Sequence, residues 1–336
     1  MQAFRAAGDA PQVQQIELTG YVPVLWSYLA RLDEIPCDIF VRGRRWPVLY
    51  ASTGAPPETL RARAREGIPL LVRESDAYLL RRMLTVSLER TLEDRSLRPI
   101  DRSREAYAIA SSIIAPSFRS VASFSSDEAH LMQDTMDLLT NVLMQEDDLL
   151  WGMVASMQRH QVTHNHAIHS AILALSLAKR VGISALDLLR DVGRGALLCD
   201  IGLTTIPTRV LQDGEQLDPL AARALRKHPA VGYAIVTQAL GETPSYAHVI
   251  LEHHERVDGS GYPAGRKASQ LPLDAQIAGI ADEFDALTSG CLGRQPLSTF
   301  DACRGMRFAH PGQFADDLLA AFIEMLGGWD GLRAVS

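Results

Sequence analysis

The chain has 336 residues, of which 47% are apolar and 22% are charged. This balance is typical of a globular protein of about two domains and excludes a disordered or fibrous chain. The formal net charge is −7 at pH 7, whereas proteins that bind duplex nucleic acid present a basic surface, so we expect no such partner.

The sequence also lacks the patterns of a membrane helix, a signal peptide and a disulfide-rich domain. No apolar run approaches the ~20 residues that a membrane helix needs, and the first residues lack the apolar core of a signal peptide. We therefore expect no membrane contact and a cytoplasmic location. The four cysteines stand at positions 37, 199, 291 and 303 without a CxxC pair, which argues against a disulfide scaffold and a zinc ribbon.

Residues 1–100 have the pattern of a small α+β domain. Asp38–Tyr50 contains two β-rich apolar runs around a Gly-Arg-Arg turn, which predicts a hairpin. Ile68–Arg73 predicts a short strand, Ser75–Leu88 a helix, and the Pro and Gly cluster Thr53–Pro57 a loop. No catalytic grouping of residue types occurs here. By analogy of architecture alone, we interpret this part as a regulatory or sensory module.

From Ser103 onward the apolar residues follow a helical period. It predicts a helix over Ser103–Ser120, broken near Pro116, and one long helix over Ser126–Gln158. Residues 101–152 would then form a helical connector. Six apolar side chains share one stripe of the long helix: Met132, Met136, Leu139, Leu143, Leu150 and Val154. Such a stripe packs either against its own domain or against a second copy, which would make the chain a homodimer.

Histidine and aspartate are concentrated in the last half of the chain, mostly at predicted helix ends. In chain order they are the cluster His160, His164, His166 and His169, then Asp200, His228, the pair His253 and His254, and Asp282. Imidazole nitrogens and carboxylate oxygens on separate helices are the donors of two-metal hydrolase sites. Asp200 follows an apolar run and would be costly to bury unless it is paired or bound to a metal.

Four segments resemble one known family. His253–Gly265 has the sequence HHERVDGSGYPAG, which is similar, without a mismatch, to the HHExxDGxGYPxG motif of HD-GYP domains. Ala281–Ser289 resembles the DxxDALTS helix of that family, His166–Gly182 its first metal-ligand helix, and Lys227–Gly232 its KHPxxG segment. Residues 153–328 are thus identified as an HD-GYP domain, a branch of the HD phosphohydrolases.

The resemblance implies a mostly α fold, with an all-helical HD-type phosphohydrolase domain after the small α+β domain. It implies a metal-dependent phosphodiesterase of bacterial second-messenger signalling, which cleaves cyclic di-GMP to linear pGpG, with GMP as a further product. The implied cofactors are two divalent ions, iron or manganese, bridged by the catalytic carboxylate of Asp200. The implied metal ligands are His166, Asp200, His228, His253, His254 and Asp282.

The resemblance also implies a substrate-binding set, namely Gly261, Tyr262, Pro263 and Arg294. For the Gly-Tyr-Pro loop two roles stay open. It either lies beside the substrate or presents a surface to a partner, such as a diguanylate cyclase or another signalling protein. The glycines of this loop permit a tight backbone turn that other residues would resist.

Four positions depart from the family pattern. Cys199 stands where the family has the histidine of its His-Asp pair; it either binds a metal through its thiolate or only fills space beside the site. Leu203 replaces a lysine that would meet a phosphate oxygen. Val162 replaces a glutamate of the members with three metals, which predicts no third ion. Gly290–Arg294 replaces Asp-Arg-Pro-Tyr-Arg and keeps only Arg294 for phosphate contact.

Two functions therefore stay open. The intact motif and six of the expected ligands favour a cyclic di-GMP phosphodiesterase. Cys199, Leu203 and the altered segment favour a catalytically degenerate HD-GYP domain that acts as a cyclic-dinucleotide receptor or a protein-interaction module. Related signal-output domains without metal ligands fit poorly, because they would not be expected to retain His253, His254 and the Gly-Tyr-Pro loop.

Overall fold

The structure is a computed structural model of the chain. It describes residues 20–24, 26–30, 32–43, 46–61, 68–118, 124–157, 165–207, 219–290, 295–309 and 311–332. The chain divides into two compact units, residues 1–83 and 84–336, and each is described by itself. The domain limits at residues 100, 152 and 328 stay predictions.

The first unit contains a four-stranded antiparallel sheet. Its strands are β1 (Tyr21–Val24), β2 (Ile39–Arg42), β3 (Pro47–Ala51) and β4 (Leu70–Arg73), in the spatial order β1-β4-β2-β3. The hairpin predicted over residues 38–50 is confirmed as β2 and β3, and the strand predicted over 68–73 is confirmed as β4. The apolar residues Ile39, Leu70 and Val72 are buried because β-branched and aliphatic side chains fill the covered face of a sheet.

Two helices accompany this sheet in sequence. Helix α1 (Trp26–Leu29) lies between β1 and β2, and helix α2 (Glu74–Glu93) follows β4 and continues past residue 83 into the second unit. The helix predicted over residues 75–88 is confirmed, but α2 continues to Glu93. The continuation has a physical reason, since Leu84, Leu88 and Leu92 recur at four-residue spacing and are all buried.

The second unit contains only helices and irregular segments in the residues that the structure describes. Its helices are α3 (Pro99–Ile114), α4 (Ser126–Leu143), α5 (Asp147–Met157), α6 (His166–Arg180), α7 (Leu186–Leu198), α8 (Pro219–Leu225), α9 (His228–Leu240), α10 (Ala247–Glu252), α11 (Leu273–Ser289), α12 (Thr299–Phe308) and α13 (Asp316–Leu332). This confirms the mostly α fold. No helix among the described residues is both long and apolar enough to cross a membrane.

The predicted break near Pro116 is confirmed, because α3 ends at Ile114 and a 3₁₀ turn, Ala115–Phe118, follows it. Proline lacks the backbone N–H that would continue an α-helix. The single long helix over residues 126–158 is wrong. The helix is interrupted between α4 and α5, where Arg95 and Arg102 both form ion pairs with the carboxylate of Glu146.

The apolar stripe is continuous across this break. All six of its side chains, from Met132 to Val154, are buried within the unit. Burying each such side chain stabilises the fold by roughly 2 kcal/mol, and no part of the stripe is left to cover a second copy. The stripe is therefore a packing face of its own domain, the first of the two interpretations, and a homodimer would need another surface.

Helix α6 lies at the centre of the second unit. Every residue from Ala167 to Ala178 is buried, and the helix packs against α5, α7, α11 and α13. A helix that is apolar on all sides must be surrounded by others. This arrangement brings the first turn of α6, with His166 and His169, against the middle of α11, with Asp282 and Asp285.

Candidate metal centre

Six side chains from five separate elements converge beside the start of α6. His166 opens α6, Asp200 follows α7, His228 opens α9, His253 and His254 follow α10, and Asp282 lies within α11. Their donor atoms form two groups, in each of which all ligand atoms lie within 4.8 Å of one another. We call Asp200, His228, His253 and His254 the four-donor group, and His166, Asp200 and Asp282 the three-donor group. Asp200 belongs to both.

Two glycines allow the backbones that carry these side chains to approach. A Cβ atom on Gly202 would lie 2.1 Å from the carbonyl oxygen of His228, and one on Gly279 would lie 2.4 Å from that of His253. Neither contact is sterically possible for another residue without movement of the backbone. Gly202 thus holds the Asp200 segment against the start of α9, and Gly279 holds α11 against the end of α10.

Asp200 is the point where the two groups meet. Its Oδ1 lies 3.1 Å from His228 Nε2 and 3.8 Å from His253 Nε2, and its Oδ2 lies 3.2 Å from His166 Nε2. Burial by itself would raise the pKa of this carboxyl, but the hydrogen bonds to His166 and His228 outweigh burial and hold the pKa well below its usual value. Asp200 is therefore ionised and presents one oxygen to each group.

Backbone carbonyls orient two histidines of the four-donor group. His228 Nδ1 donates to the carbonyl oxygen of Leu225 at 2.7 Å, and His253 Nδ1 donates to that of Ile250 at 2.9 Å. Both Nε2 atoms then face Asp200 and lie 3.2 Å from each other. Two imidazole nitrogens pointed at each other at this distance need a proton or a cation between them, which fits a metal site.

The pKa values of these histidines have distinct causes. Burial lowers the pKa of His253, and burial together with the neighbouring His253 holds the pKa of His254 well below its ordinary value. Burial also acts to lower the pKa of His228, but its hydrogen bond to Asp200 prevails and raises it. His253 and His254 are therefore neutral near pH 7, the form in which an imidazole binds metal.

A carboxylate orients the histidine of the three-donor group. His166 Nδ1 donates to Asp285 Oδ2 at 2.7 Å, while His166 Nε2 lies 2.9 Å from Asp282 Oδ1. Burial would raise the pKa of Asp285, but hydrogen bonds from His166 and His169 outweigh it and lower the pKa to about 2. Histidines that bind metals are commonly held by a carboxylate in this way.

Sequence reasoning missed the role of Asp285, His169 and Tyr107. Asp285 also accepts a hydrogen bond from His169 Nδ1 at 3.0 Å, and His169 Nε2 lies 2.5 Å from the hydroxyl oxygen of Tyr107. For two of them the sequence held a signal, because His169 and Asp285 each lie three residues after a predicted ligand, on the same helix face. Tyr107 gave none, since its contact spans 62 positions of the chain.

The Gly-Tyr-Pro loop lies beside the four-donor group. The Tyr262 ring stacks on the His254 ring with centroids 4.7 Å apart, and the Arg226 guanidinium lies 4.9 Å from the Tyr262 ring centroid. Glu255 holds the loop in place, because its carboxylate accepts from the backbone N–H groups of Ala264 at 2.6 Å and Arg266 at 2.9 Å. Sequence reasoning named neither Arg226 nor Glu255 as a site residue.

The remaining loop positions can be placed only in part. Gly261 packs so closely that a Cβ atom there would lie 2.3 Å from the backbone nitrogen of Arg256. The peptide bond between Tyr262 and Pro263 is cis. Arg294, the fourth predicted substrate contact, lies outside the described residues, as do His160, Val162 and His164.

Cys199 and Leu203 flank Asp200 without joining either group. The Cys199 thiol is buried, and its Sγ donates to the carbonyl oxygen of Ala196 at 3.1 Å. Burial and the carboxylates of Asp200 and Asp282 hold the pKa of the thiol well above its usual value, so the neutral thiol prevails. Leu203 is half-buried in the 3₁₀ turn Ile201–Thr205 and offers no charge.

Taken together, the donor set is four imidazoles and two carboxylates. Divalent ions such as zinc, iron and manganese accept nitrogen and oxygen donors of this kind. The shared carboxylate and the buried, converging nitrogens fit such ions in both groups.

Comparison with known proteins agrees with this geometry. The family model for the HD domain matches residues 139–310, just over half of the chain. The cyclic di-GMP phosphodiesterase PA4108 of Pseudomonas aeruginosa is 27% identical over 201 residues, covering 60% of this chain and 48% of that protein. A cyclic di-GMP phosphodiesterase of Thermotoga maritima is 29% identical over 171 residues, covering 51% and 46%. The chain thus spans about half the length of these curated relatives.

A solved structure extends the likeness in fold. Bd1817, a HDG"Y"P protein from Bdellovibrio bacteriovorus, superposes with a TM-score of 0.68 at 18% identity, covering 92% of this chain and all of that one. At that identity the likeness concerns the fold alone. The match to the family model and the HHExxDGxGYPxG motif together show that this chain belongs to the HD domain family and carries an HD-GYP domain.

Proposed function

We propose that this chain is a metal-dependent phosphodiesterase that hydrolyses cyclic di-GMP to linear pGpG, with GMP as a further product. One observation carries the proposal. Two groups of donor atoms share the carboxylate of Asp200, as a site for two adjacent cations requires. The names of the relatives PA4108 and the Thermotoga maritima protein supply the substrate class.

The two groups would hold the ions unequally. The four-donor group has enough protein ligands to surround a cation, whereas the three-donor group leaves positions open to water and substrate. We therefore expect the four-donor group to bind first and more tightly. We propose iron or manganese as the ions, because imidazole suits iron and carboxylate suits manganese. When bound, ions in such a site lower the pKa of a bound water and polarise a phosphodiester oxygen.

The chain's own residues supply orientation and access. Asp200 is held ionised between His166 and His228, and the carbonyls of Leu225 and Ile250 keep two imidazoles turned toward it. We propose that Tyr262 and the exposed Arg226 border the substrate, with Arg226 offering a cation to a phosphate oxygen. It would take over the role of the lysine that Leu203 replaces.

The test is hydrolysis together with metal content in the full chain. Purified protein should bind up to two Mn²⁺ or Fe²⁺ ions and convert cyclic di-GMP to pGpG, and Asp200→Asn should lose both properties. Asp274→Asn removes a carboxylate outside both groups and should retain both. If the loaded wild type binds cyclic di-GMP without cleaving it, the receptor function replaces the enzymatic one.

A further inference from the structure

A row of buried polar side chains leads from the three-donor group to helix α3. It runs from His166 through Asp285 and His169 to Tyr107, with donor–acceptor distances of 2.7, 3.0 and 2.5 Å. The exposed fractions are 1% for Tyr107, 5% for His169 and 4% for Asp285. Polar groups so completely removed from water destabilise the fold unless each one is hydrogen-bonded. The contacts of this row give each of these buried groups a hydrogen-bond partner.

Only one arrangement of protons satisfies the three contacts of this row when His169 is neutral. Asp285 is an acceptor only, so His166 and His169 must each donate to it through Nδ1. His169 Nε2 is then an acceptor, and the Tyr107 hydroxyl must donate to it. Burial raises the pKa of Tyr107, so the hydroxyl keeps the proton that it donates.

This arrangement determines which nitrogen of His166 faces the three-donor group. With Nδ1 committed to Asp285, Nε2 is the nitrogen that points at Asp200 and Asp282. Asp285 is fixed from two sides, because His166 binds one of its oxygens and His169 binds the other. Without Tyr107, His169 could adopt the other tautomer, and Asp285 would lose one of its two fixed donors.

We propose that Tyr107 and His169 are positioning residues that hold His166, through Asp285, in the orientation that the three-donor group needs. The proposal rests on the proposed function for the metal that His166 binds. It also places a determinant of the site in α3, before the residues 139–310 that the family model matches. The four-donor group is not connected to this row, since backbone carbonyls orient His228 and His253.

The test compares Tyr107→Phe with Tyr246→Phe in the full chain. Both tyrosines are 1% exposed and both hydroxyls are hydrogen-bonded, so the two changes are chemically identical. Tyr246 bonds to Gln133 and lies outside the row. With ¹⁵N-labelled histidine in metal-free protein, His169 should be a single Nδ1–H tautomer in the wild type and in Tyr246→Phe, and a mixture in Tyr107→Phe.

Binding of Mn²⁺ supplies the second measurement. Tyr107→Phe should lower the Mn²⁺ affinity of the weaker binding phase, assigned to the three-donor group, about tenfold, the lower end of the range for residues that orient metal ligands. The stronger phase, assigned to the four-donor group, should stay unchanged. His169→Gln keeps a donor and an acceptor and should lose less than His169→Ala. A His169 tautomer and an Mn²⁺ isotherm in Tyr107→Phe equal to those of Tyr246→Phe would overturn the positioning role. A wild type that binds no Mn²⁺ would overturn the proposed function, while the tautomer measurement would still decide the role of Tyr107.

Discussion

The two donor groups around Asp200 differ in how their histidines are held. In the four-donor group, His228 and His253 donate to carbonyl oxygens three residues earlier in the chain. In the three-donor group, His166 donates to Asp285, a carboxylate from another helix. The first kind of support is local in sequence, whereas the second depends on the packing of α6 against α11.

This difference has a chemical consequence. A backbone carbonyl fixes the tautomer of an imidazole without adding a charge, whereas a carboxylate also raises the basicity of the imidazole. The four-donor group contains one carboxylate and three imidazoles, and the three-donor group contains two carboxylates and one imidazole. The three-donor group therefore has fewer ligands but more negative charge. Two of its ligands are carboxylates, and a third carboxylate, Asp285, binds the far nitrogen of His166.

The largest effect is expected from removing the imidazoles of the four-donor group. His253→Ala combined with His254→Ala leaves only Asp200 and His228 there, so most bound metal and all hydrolysis of cyclic di-GMP should be lost. Metal analysis of the purified protein measures this. His248→Ala, a histidine of α10 outside both groups, is the control and should keep full metal content. Unchanged stoichiometry in the double variant would contradict the ligand assignment.

A smaller loss is expected when the carboxylate behind His166 is neutralised. Asp285→Asn keeps an acceptor but removes the charge, so the weaker Mn²⁺ phase should lose about 10- to 100-fold in affinity while the stronger phase stays. Asp274→Asn is the control, because Asp274 also binds an imidazole, that of His248, at 2.8 Å. Equal losses in both phases would show that the two groups are not supported separately.

A gain is expected from restoring the family histidine beside Asp200. Cys199→His would add a fourth donor to the three-donor group, and the weaker Mn²⁺ phase should tighten about tenfold or more. Cys199→Ala should leave that phase as in the wild type, because the thiol lies outside both groups. Leu203→Lys adds a cation for phosphate, so hydrolysis by the double variant Cys199→His with Leu203→Lys should exceed that of either single variant. A drop in metal affinity in Cys199→Ala would show that the thiol is a ligand.

The smallest effect concerns a carboxylate–histidine pair away from the metal. A hydrogen bond to Asp274 raises the pKa of His248, with Glu252 of the same helix adding to it. A raised folded-state pKa means that this stabilisation is complete below the unfolded value near 6.5 and disappears as the pH rises through the folded value. Since His248 is partly exposed, the contribution should be less than about 1 kcal/mol.

Chemical denaturation of the metal-free chain measures this contribution. The difference in unfolding free energy between wild type and His248→Gln should shrink between pH 6 and pH 9. A difference that stays constant over this range would contradict the pairing. The pair thus gives a reference for what a carboxylate does to an imidazole when no metal site is involved.

The sequence by itself indicated the helical architecture of the second unit, and its resemblance to HD-GYP domains named the six side chains that the structure brings together. Helical spacing and the HHExxDGxGYPxG motif are local patterns, and each predicted ligand stands within a few residues of such a pattern. The local character of these signals also explains an error. The apolar stripe from Met132 to Val154 continues through the break at Glu146, so periodicity predicted one helix where Arg95 and Arg102 hold a turn.

Only the tertiary structure decided which atoms face one another. Two groups sharing Asp200, a thiol at Cys199 turned back to Ala196, and the row from His166 to Tyr107 all depend on contacts between distant helices. No local pattern encodes them, because the direction of a side chain follows from how α6, α7 and α11 pack. The sequence specified which donors are available, and the packing of the helices decided how they are divided and oriented.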